Sequence, residues 1–269
     1  MVAEYEMVRR MYIDTHTHLN ARQFDSDREA VVHRAVQAGV DIMVIPNVDV
    51  DTIEPIQQLC HTYPSHCRAM MGIHPTSIKK DYGKKLAEAE RALRKGGYVA
   101  IGEIGIDLYW DTTYECEQIE AFGIQIEWAL ERDLPINIHA RNSLSLCIDI
   151  VAEYHSRYPQ LRGIFHCFDG SIEDAQRIIA LGRFKLGIGG LVTFKNATVA
   201  DVVRRVPLQY IVLETDAPYL SPHPLRGRRN EPARIPMIAA KLATLYEVPL
   251  EEIAEKTSAN AREVYALDL

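Results

Sequence analysis

The sequence contains no apolar run near the roughly 20 residues that a membrane-spanning helix needs. Its opening segment, MVAEYEMVRR, lacks the apolar stretch that follows the charged start of a secretion signal, so a cytoplasmic location is expected. Cysteine is sparse and odd in number. Cys60, Cys67, Cys116, Cys147 and Cys167 form no CxxC pair and read as reduced thiols; nothing in the spacing of Cys60 and Cys67 demands a bridge. Surplus basic charge is absent too. A net charge of −7 rules out the broad cationic surface of a protein that coats nucleic acid, so any phosphate-bearing ligand must be gripped locally, by metal ions and a few arginines. Low-complexity segments, long linkers and short repeats are missing. The Gly187–Gly190 run lacks the spacing of a dinucleotide fingerprint and reads as close backbone approach.

What remains suits one globular α/β domain. The 269 residues, 47% of them hydrophobic, can bury a sizeable core, and a (β/α)8 barrel takes roughly 250. A short extension at residues 1–10 is expected to precede a single domain at 11–269. Short apolar runs alternate with longer amphipathic ones, the pattern of a parallel sheet with crossover helices. The runs that read as strands are Met11–Thr15, Ile42–Asn47, Ala69–Ile73, Tyr98–Glu103, Pro135–His139, Gly163–Cys167, Phe184–Ile188 and Tyr210–Thr215. Helical patterns include Asp27–Ala38 (stopped by Gly39), Gly83–Lys95, Tyr114–Arg132, Ser143–Tyr158 and Ile172–Leu181, and two or three helices follow the last strand, ending in Ala259–Leu267. Eight strand–helix units predict a closed TIM-type (β/α)8 barrel with additional C-terminal helices; a doubly wound open sheet is the alternative.

The polar residues at the strand ends favour the barrel. The first strand runs into Asp14-Thr15-His16-Thr17-His18. Alternation puts 14, 16 and 18 on one face, so both histidines reach one ion while Asp14, one layer deeper, orients a ligand. The fourth strand ends in Glu103, the fifth in His139 with Arg141 two residues on, the sixth in His166, and the eighth in Glu214-Thr215-Asp216. Any one of these reads as a satisfied polar group at a strand end. Five such strands in one barrel, whose carboxyl ends converge on one mouth, read as a site. Imidazoles with carboxylates suit zinc, manganese or iron, and the carboxylates also admit magnesium. Four histidines and two carboxylates exceed what one tetrahedral zinc needs. Two divalent ions (Mg, Mn or Zn) roughly 3.5–4 Å apart are therefore expected. His16, His18, Glu103 and Asp216 would hold one; Glu103, as bridge, His139 and His166 would hold the other. Asp216 doubles as the general base toward an attacking water. Asp14 and Glu214 are expected to support the ligands from behind.

The segments Asp14–Leu19 (DTHTHL), Gly72–Pro75 (GIHP), Gly102–Asp107 (GEIGID), His139–Arg141 (HAR), Phe165–Gly170 (FHCFDG), Glu214–Leu220 (ETDAPYL) and Arg229–Pro232 (RNEP), in this order, resemble the TatD family of metal-dependent hydrolases within the amidohydrolase-like barrels. The resemblance implies a TIM-type barrel and a metal-dependent deoxyribonuclease that trims DNA from the 3′ end, with single-stranded ends as substrate. It implies the same six metal-binding residues and places His74 and Arg229 against the substrate. Two departures bear on substrate fit: Asn20, where family members often carry Asp, and Ala140-Arg141-Asn142-Ser143, a stretch that is often acidic.

Other features also concern the substrate. His74, before Pro75, is either a partner for a phosphate oxygen or a turn residue. Leu225–Asn230 follows the eighth strand, where this fold often places phosphate sites; its arginines, with Arg141, suit phosphate geometry, and a solvated basic loop is the alternative. Tyr109 and Trp110 either stack on an unpaired base or pack on the barrel rim. Competing readings on the same scaffold are a deaminase or a hydrolase of a small ester, lactone or cyclic amide, and a non-catalytic binding protein. Several relatives in the wider superfamily bridge their metals through a modified lysine on the fourth strand, which has no lysine here, and all six ligand candidates are present. Nothing in the sequence indicates a stable protein partner.

Overall fold

The computed structural model describes residues 11–267, so the extension expected at 1–10 lies outside the described residues. Eight parallel strands follow one another around a single sheet: β1 (Tyr12–Asp14), β2 (Val40–Ile45), β3 (Cys67–Met71), β4 (Tyr98–Asp107), β5 (Ile136–Arg141), β6 (Gly163–Phe165), β7 (Phe184–Ile188) and β8 (Ile211–Leu213). The two edges meet where Thr15 N–H donates to the Leu213 carbonyl (3.0 Å) and Asp216 N–H to that of His16 (2.9 Å). The outcome is a nearly closed TIM barrel, not an open sheet.

Between the strands lie α1 (Arg28–Gln37), α2 (Ile53–Thr62), α3 (Tyr82–Leu93), α4 (Glu115–Arg132), α5 (Leu144–Arg157), α6 (Ile172–Ala180) and α7 (Val199–Val203). Two helices follow β8, α8 (Ile235–Tyr246) and α9 (Leu250–Tyr265), so the pattern at Ala259–Leu267 is the second half of one longer helix. The largest departure from expectation is β4. Ionisable Glu103 reads as a strand end, yet the ladder with β5 resumes beyond it and continues to Asp107.

The core has two layers. Strand residues such as Met43, Ile101 and Ile138 pack outward against the helices, among them Phe122 and Ile126 of α4. Inside the barrel, Ile13, Ile42, Val44, Met70, Ala100, Ile164 and Val212 meet Ala261, Val264 and Tyr265 of α9. Helix α9 closes the amino-terminal end of the barrel. Ser258 Oγ donates to the Met11 carbonyl (2.8 Å), Asn260 Nδ2 to that of Ile211 (2.7 Å), and the Val264 carbonyl accepts from Arg162 Nε (3.2 Å). Each fully buried aliphatic side chain contributes about 1.5–3 kcal/mol, so this interior is a packed plug, and open space is left at the carboxyl ends. The five cysteines are free, and burial pushes the Cys67 and Cys147 thiols up to about 12. Among the described residues, no helix is long and apolar enough to cross a membrane.

Candidate metal centre

A cavity of about 1500 Å³ opens at the carboxyl ends of the strands, and His18, His74, Glu103, His139, His166 and Asp216 line it. Its centre is Glu103. Between Ile101 and Ile104 the β4–β5 register shifts by one residue, a bulge at the point where Glu103 turns inward. Glu103 N–H then donates to the Asn47 carbonyl (3.1 Å), and Asn47 N–H to that of Gly102 (3.2 Å), so the end of β2 grips the bulge.

The two carboxylate oxygens of Glu103 face different partners. Oε2 lies 3.2 Å from His16 Nε2 and 3.6 Å from His18 Nε2, and Asp216 Oδ1 approaches the same nitrogens at 3.8 and 3.3 Å. Oε1 lies 2.8 Å from His139 Nδ1 and 3.7 Å from His166 Nε2. The six residues expected as ligands are therefore brought together around Glu103, and His166 stands between the two sides, its Nε2 also 3.8 Å from Asp216 Oδ1.

Polar contacts behind the rings decide which nitrogen of each faces inward as a lone pair. His16 Nδ1 donates to Asn137 Oδ1 (2.9 Å). The Asn137 amide is oriented from its other end, where Nδ2 donates to the Tyr265 hydroxyl (3.3 Å), which donates to the Thr15 carbonyl (3.0 Å). His139 Nε2 hydrogen-bonds Asp107 Oδ2 (2.9 Å), and His166 Nδ1 lies 2.9 Å from Glu214 Oε1 as a charge contact outside hydrogen-bond geometry. In its neutral form with the hydrogen on the outer nitrogen, each of these imidazoles aims a lone pair at the buried carboxylate, whereas without a metal His139 and His166 are favoured as protonated rings by their carboxylate neighbours. Lone pairs facing a carboxylate repel unless a cation stands between them, and this mixed set of nitrogen and oxygen donors fits a divalent metal. His74 is the reverse case. Its Nδ1 accepts from Thr76 N–H (3.1 Å), so its Nε2 carries the hydrogen, 3.4 Å from Glu103 Oε1, and offers a donor to the cavity.

The electrostatics agree. Burial opposes charge on Glu103 and Asp216, yet the surrounding imidazoles outweigh it and hold both below the ordinary carboxylate range. Burial lowers His16 and His74. His139 and His166 go the other way: burial opposes their charge, but Asp107 and Glu103 raise His139, and Glu214, Glu103 and Asp216 raise His166 to about 10. Where protons are the only cations available, this pocket collects them.

Three supporting residues escape the sequence reading: Asn137, Asp107 and Tyr265. Asn137 stands two residues before His139, and Asp107 four after Glu103, so strand alternation was the available signal for both. Tyr265 gave none, because its helix reaches the site from beneath. Asp14 lies behind His16, as its place in the strand suggests, and acts through the backbone. Its carboxylate accepts from the backbone N–H groups of His16 (3.3 Å) and Thr215 (2.9 Å), fixing chain rather than a ligand ring. Glu214 also takes the Cys167 N–H (2.6 Å), and a Cβ at Gly187 would sit 2.1 Å from its Oε2, so β7 needs glycine there. Among the described residues seven non-glycine residues have left-handed φ; three cap helices, and the other four (Asn142, Cys167, Asp216 and Leu220) line this cavity. At about 1–2 kcal/mol each, that strain sits at the mouth.

The substrate-side expectations divide. His74 and Arg141 line the cavity. Arg229 does not: its guanidinium grips Asp27 at both oxygens (2.7 Å each) and the Gln23 carbonyl (2.6 Å), and none of Leu225–Asn230 reaches the cavity. Asp27, held down to about 2 chiefly by its hydrogen bond from Arg229, also meets Arg34 (3.3 Å), which pairs with Glu231 (2.7 Å). The arginine expected at the substrate thus braces the loop after β8 onto α1.

The family described as "TatD related DNase" matches residues 13–266. The chain belongs to the TatD family. This TatD-family chain is 38% identical over 259 residues to the "Uncharacterized metal-dependent hydrolase YabD" of Bacillus subtilis (strain 168), covering 96% of itself and 100% of that relative. It is 32% identical over 260 residues, 94% of itself and 99% of the relative, to the "3'-5' ssDNA/RNA exonuclease TatD" of Yersinia pseudotuberculosis. The crystal structure of YjjV, a TatD homologue from Escherichia coli K12, superposes with a TM-score of 0.89 at 30% identity, covering 97% of this chain and 100% of that one. The TatD-family chain is a metal-dependent hydrolase, and its buried histidine–carboxylate cluster is suited to divalent metal.

Proposed function

We propose that the protein hydrolyses phosphodiester bonds of DNA, as a 3′-to-5′ exonuclease acting on single-stranded ends with two divalent ions. The observation that carries the two-ion reading is the division of Glu103. One oxygen faces His16 and His18, the other His139 and His166, which is the arrangement of a bridging carboxylate. The name of the Yersinia relative supports the nucleic-acid substrate. Ions held by these six residues supply Lewis acidity that makes a water nucleophilic and neutralises phosphate charge.

The chain's own groups do the rest. Asp216, kept ionised by His18, His166 and His16 against the cost of burial, accepts the proton of the attacking water. His74 presents Nε2–H to a phosphate oxygen, its ring locked by Thr76. Arg141 adds positive charge where the transition state gains negative charge. The test is degradation of 5′-labelled single-stranded DNA by metal-stripped protein, with Mg²⁺, Mn²⁺ or Zn²⁺ restored in turn. The reading expects stepwise shortening from the 3′ end only with metal. Folded, metal-loaded protein that leaves the DNA intact would refute it and redirect the search to small esters, lactones and amides.

A further inference from the structure

Large aromatic side chains are exposed mostly around the cavity mouth. Among the described residues the exposed large hydrophobics are Met11, Tyr109, Trp110, Tyr158 and Tyr219, and Tyr109, Trp110 and Tyr219 line this cavity. Trp110 is 68% exposed, so packing on the rim does not account for it. Tyr109 and Trp110 stand edge to face, ring centroids 4.9 Å apart. The Arg141 guanidinium lies over both, 3.9 Å from the Tyr109 centroid and 5.2 Å from that of Trp110. Arg141 has no ion pair or side-chain hydrogen bond among the described residues, in contrast to Arg229. A guanidinium stacked by its face keeps its N–H edge free for a phosphate.

This cluster is registered to the metal centre. The Asp107 carboxylate that holds His139 through Oδ2 accepts, through Oδ1, the backbone N–H groups of Tyr109 (3.0 Å) and Trp110 (3.1 Å). Arg141 lies two residues beyond His139 on β5, opposite Asp107 in the ladder. One carboxylate thus fixes a metal-site imidazole and an aromatic shelf at a set separation. The charge balance supplies a reason for the shelf. The chain carries a net −7, and Asp107, Asp169 and Asp174 also line the cavity, so a general attraction for phosphate cannot supply the affinity.

Resting on the nucleic-acid reading above, we propose that Trp110, braced by Tyr109 and Arg141, is a stacking subsite for an unpaired nucleobase of the strand whose phosphodiester reaches the metal centre. Stacking is indifferent to base identity and requires that the base be out of a duplex, so the shelf selects frayed or single-stranded ends. Trp110→Ala should raise KM for a single-stranded oligonucleotide about 5- to 100-fold, and Trp110→Phe should restore most of the loss. A strand with abasic sites near its 3′ end should be a poor substrate for the parent protein and no poorer for Trp110→Ala than an ordinary strand. The parent's preference for single-stranded over blunt duplex ends should shrink in the same variant.

Binding gives a readout apart from turnover. The chain has two tryptophans, and Trp128 is buried, so quenching of metal-loaded protein by a cleavage-resistant phosphorothioate oligothymidylate reports Trp110. Saturable quenching that disappears in Trp110→Ala supports the shelf. Cleavage of single strands with an unchanged KM in Trp110→Ala and no base dependence overturns the shelf and leaves the nuclease reading standing. Failure to bind or cleave any nucleic acid overturns both.

Discussion

Replacing Asn137 with Ala tests whether hydrogen bonds behind the ligand rings assemble this centre. Asn137 is fully buried and touches no reacting atom; its Oδ1 holds His16 Nδ1–H at 2.9 Å and its Nδ2 reaches the Tyr265 hydroxyl at 3.3 Å. Truncation leaves His16 free to rotate and to place its hydrogen on Nε2, the nitrogen that faces Glu103 and Asp216. Loss of such a partner weakens metal binding by about 10- to 100-fold, equal to about 1.4–2.7 kcal/mol. The unpaired imidazole N–H costs about 1–3 kcal/mol of folding stability as well. The two effects separate experimentally: chelator competition on folded protein gives metal affinity, and thermal unfolding of metal-stripped protein gives stability. A variant that unfolds earlier but keeps metal affinity within about twofold of the parent would show that Asn137 only packs, and the tautomer argument would fail.

Glu103→Ala should cost more than about 10³-fold in turnover by removing the shared carboxylate, whereas Asp216→Asn should retain metal, measured by elemental analysis, and lose about 10²- to 10⁴-fold. Full activity in either variant contradicts the assignments. His166 rises from 6.5 to about 10 in the folded, metal-stripped protein, so its contribution to stability is fully present below pH 6.5 and fades as pH climbs through about 10. The melting temperature of stripped protein should therefore fall across that window, while metal-loaded protein, in which a cation replaces the proton, should not show the fall; parallel curves would refute this. Gly187→Ala should displace Glu214, whose Oε2 would lie 2.1 Å from the new Cβ, and weaken metal binding without altering a cavity-lining residue. Retention of parental affinity would mean that Glu214 has room to move.

The clustering of the six candidate ligands was legible because each interrupts an apolar strand at or near its carboxyl end, and barrel topology sends all such ends to one place. Asp107 was hidden because Glu103 reads as a terminus; a bulge lets β4 continue past it, and no periodicity announces a bulge. Asn137 was visible as a polar residue within an apolar strand, but its role depends on a ring from β1 and a hydroxyl from α9. Arg229 misled for the opposite reason. Its surroundings in sequence look like a phosphate loop, and only the fold shows that Asp27 is within reach.

Tyr265 belongs to α9, which the ribosome makes after every strand of the barrel. A growing chain that has reached Asp216, three residues past β8, holds all six candidate ligands yet lacks the hydroxyl under Asn137 and the plug formed by Ala261, Val264 and Tyr265. The fully braced centre is therefore expected only after that one helix docks at the end of the barrel farthest from the chemistry.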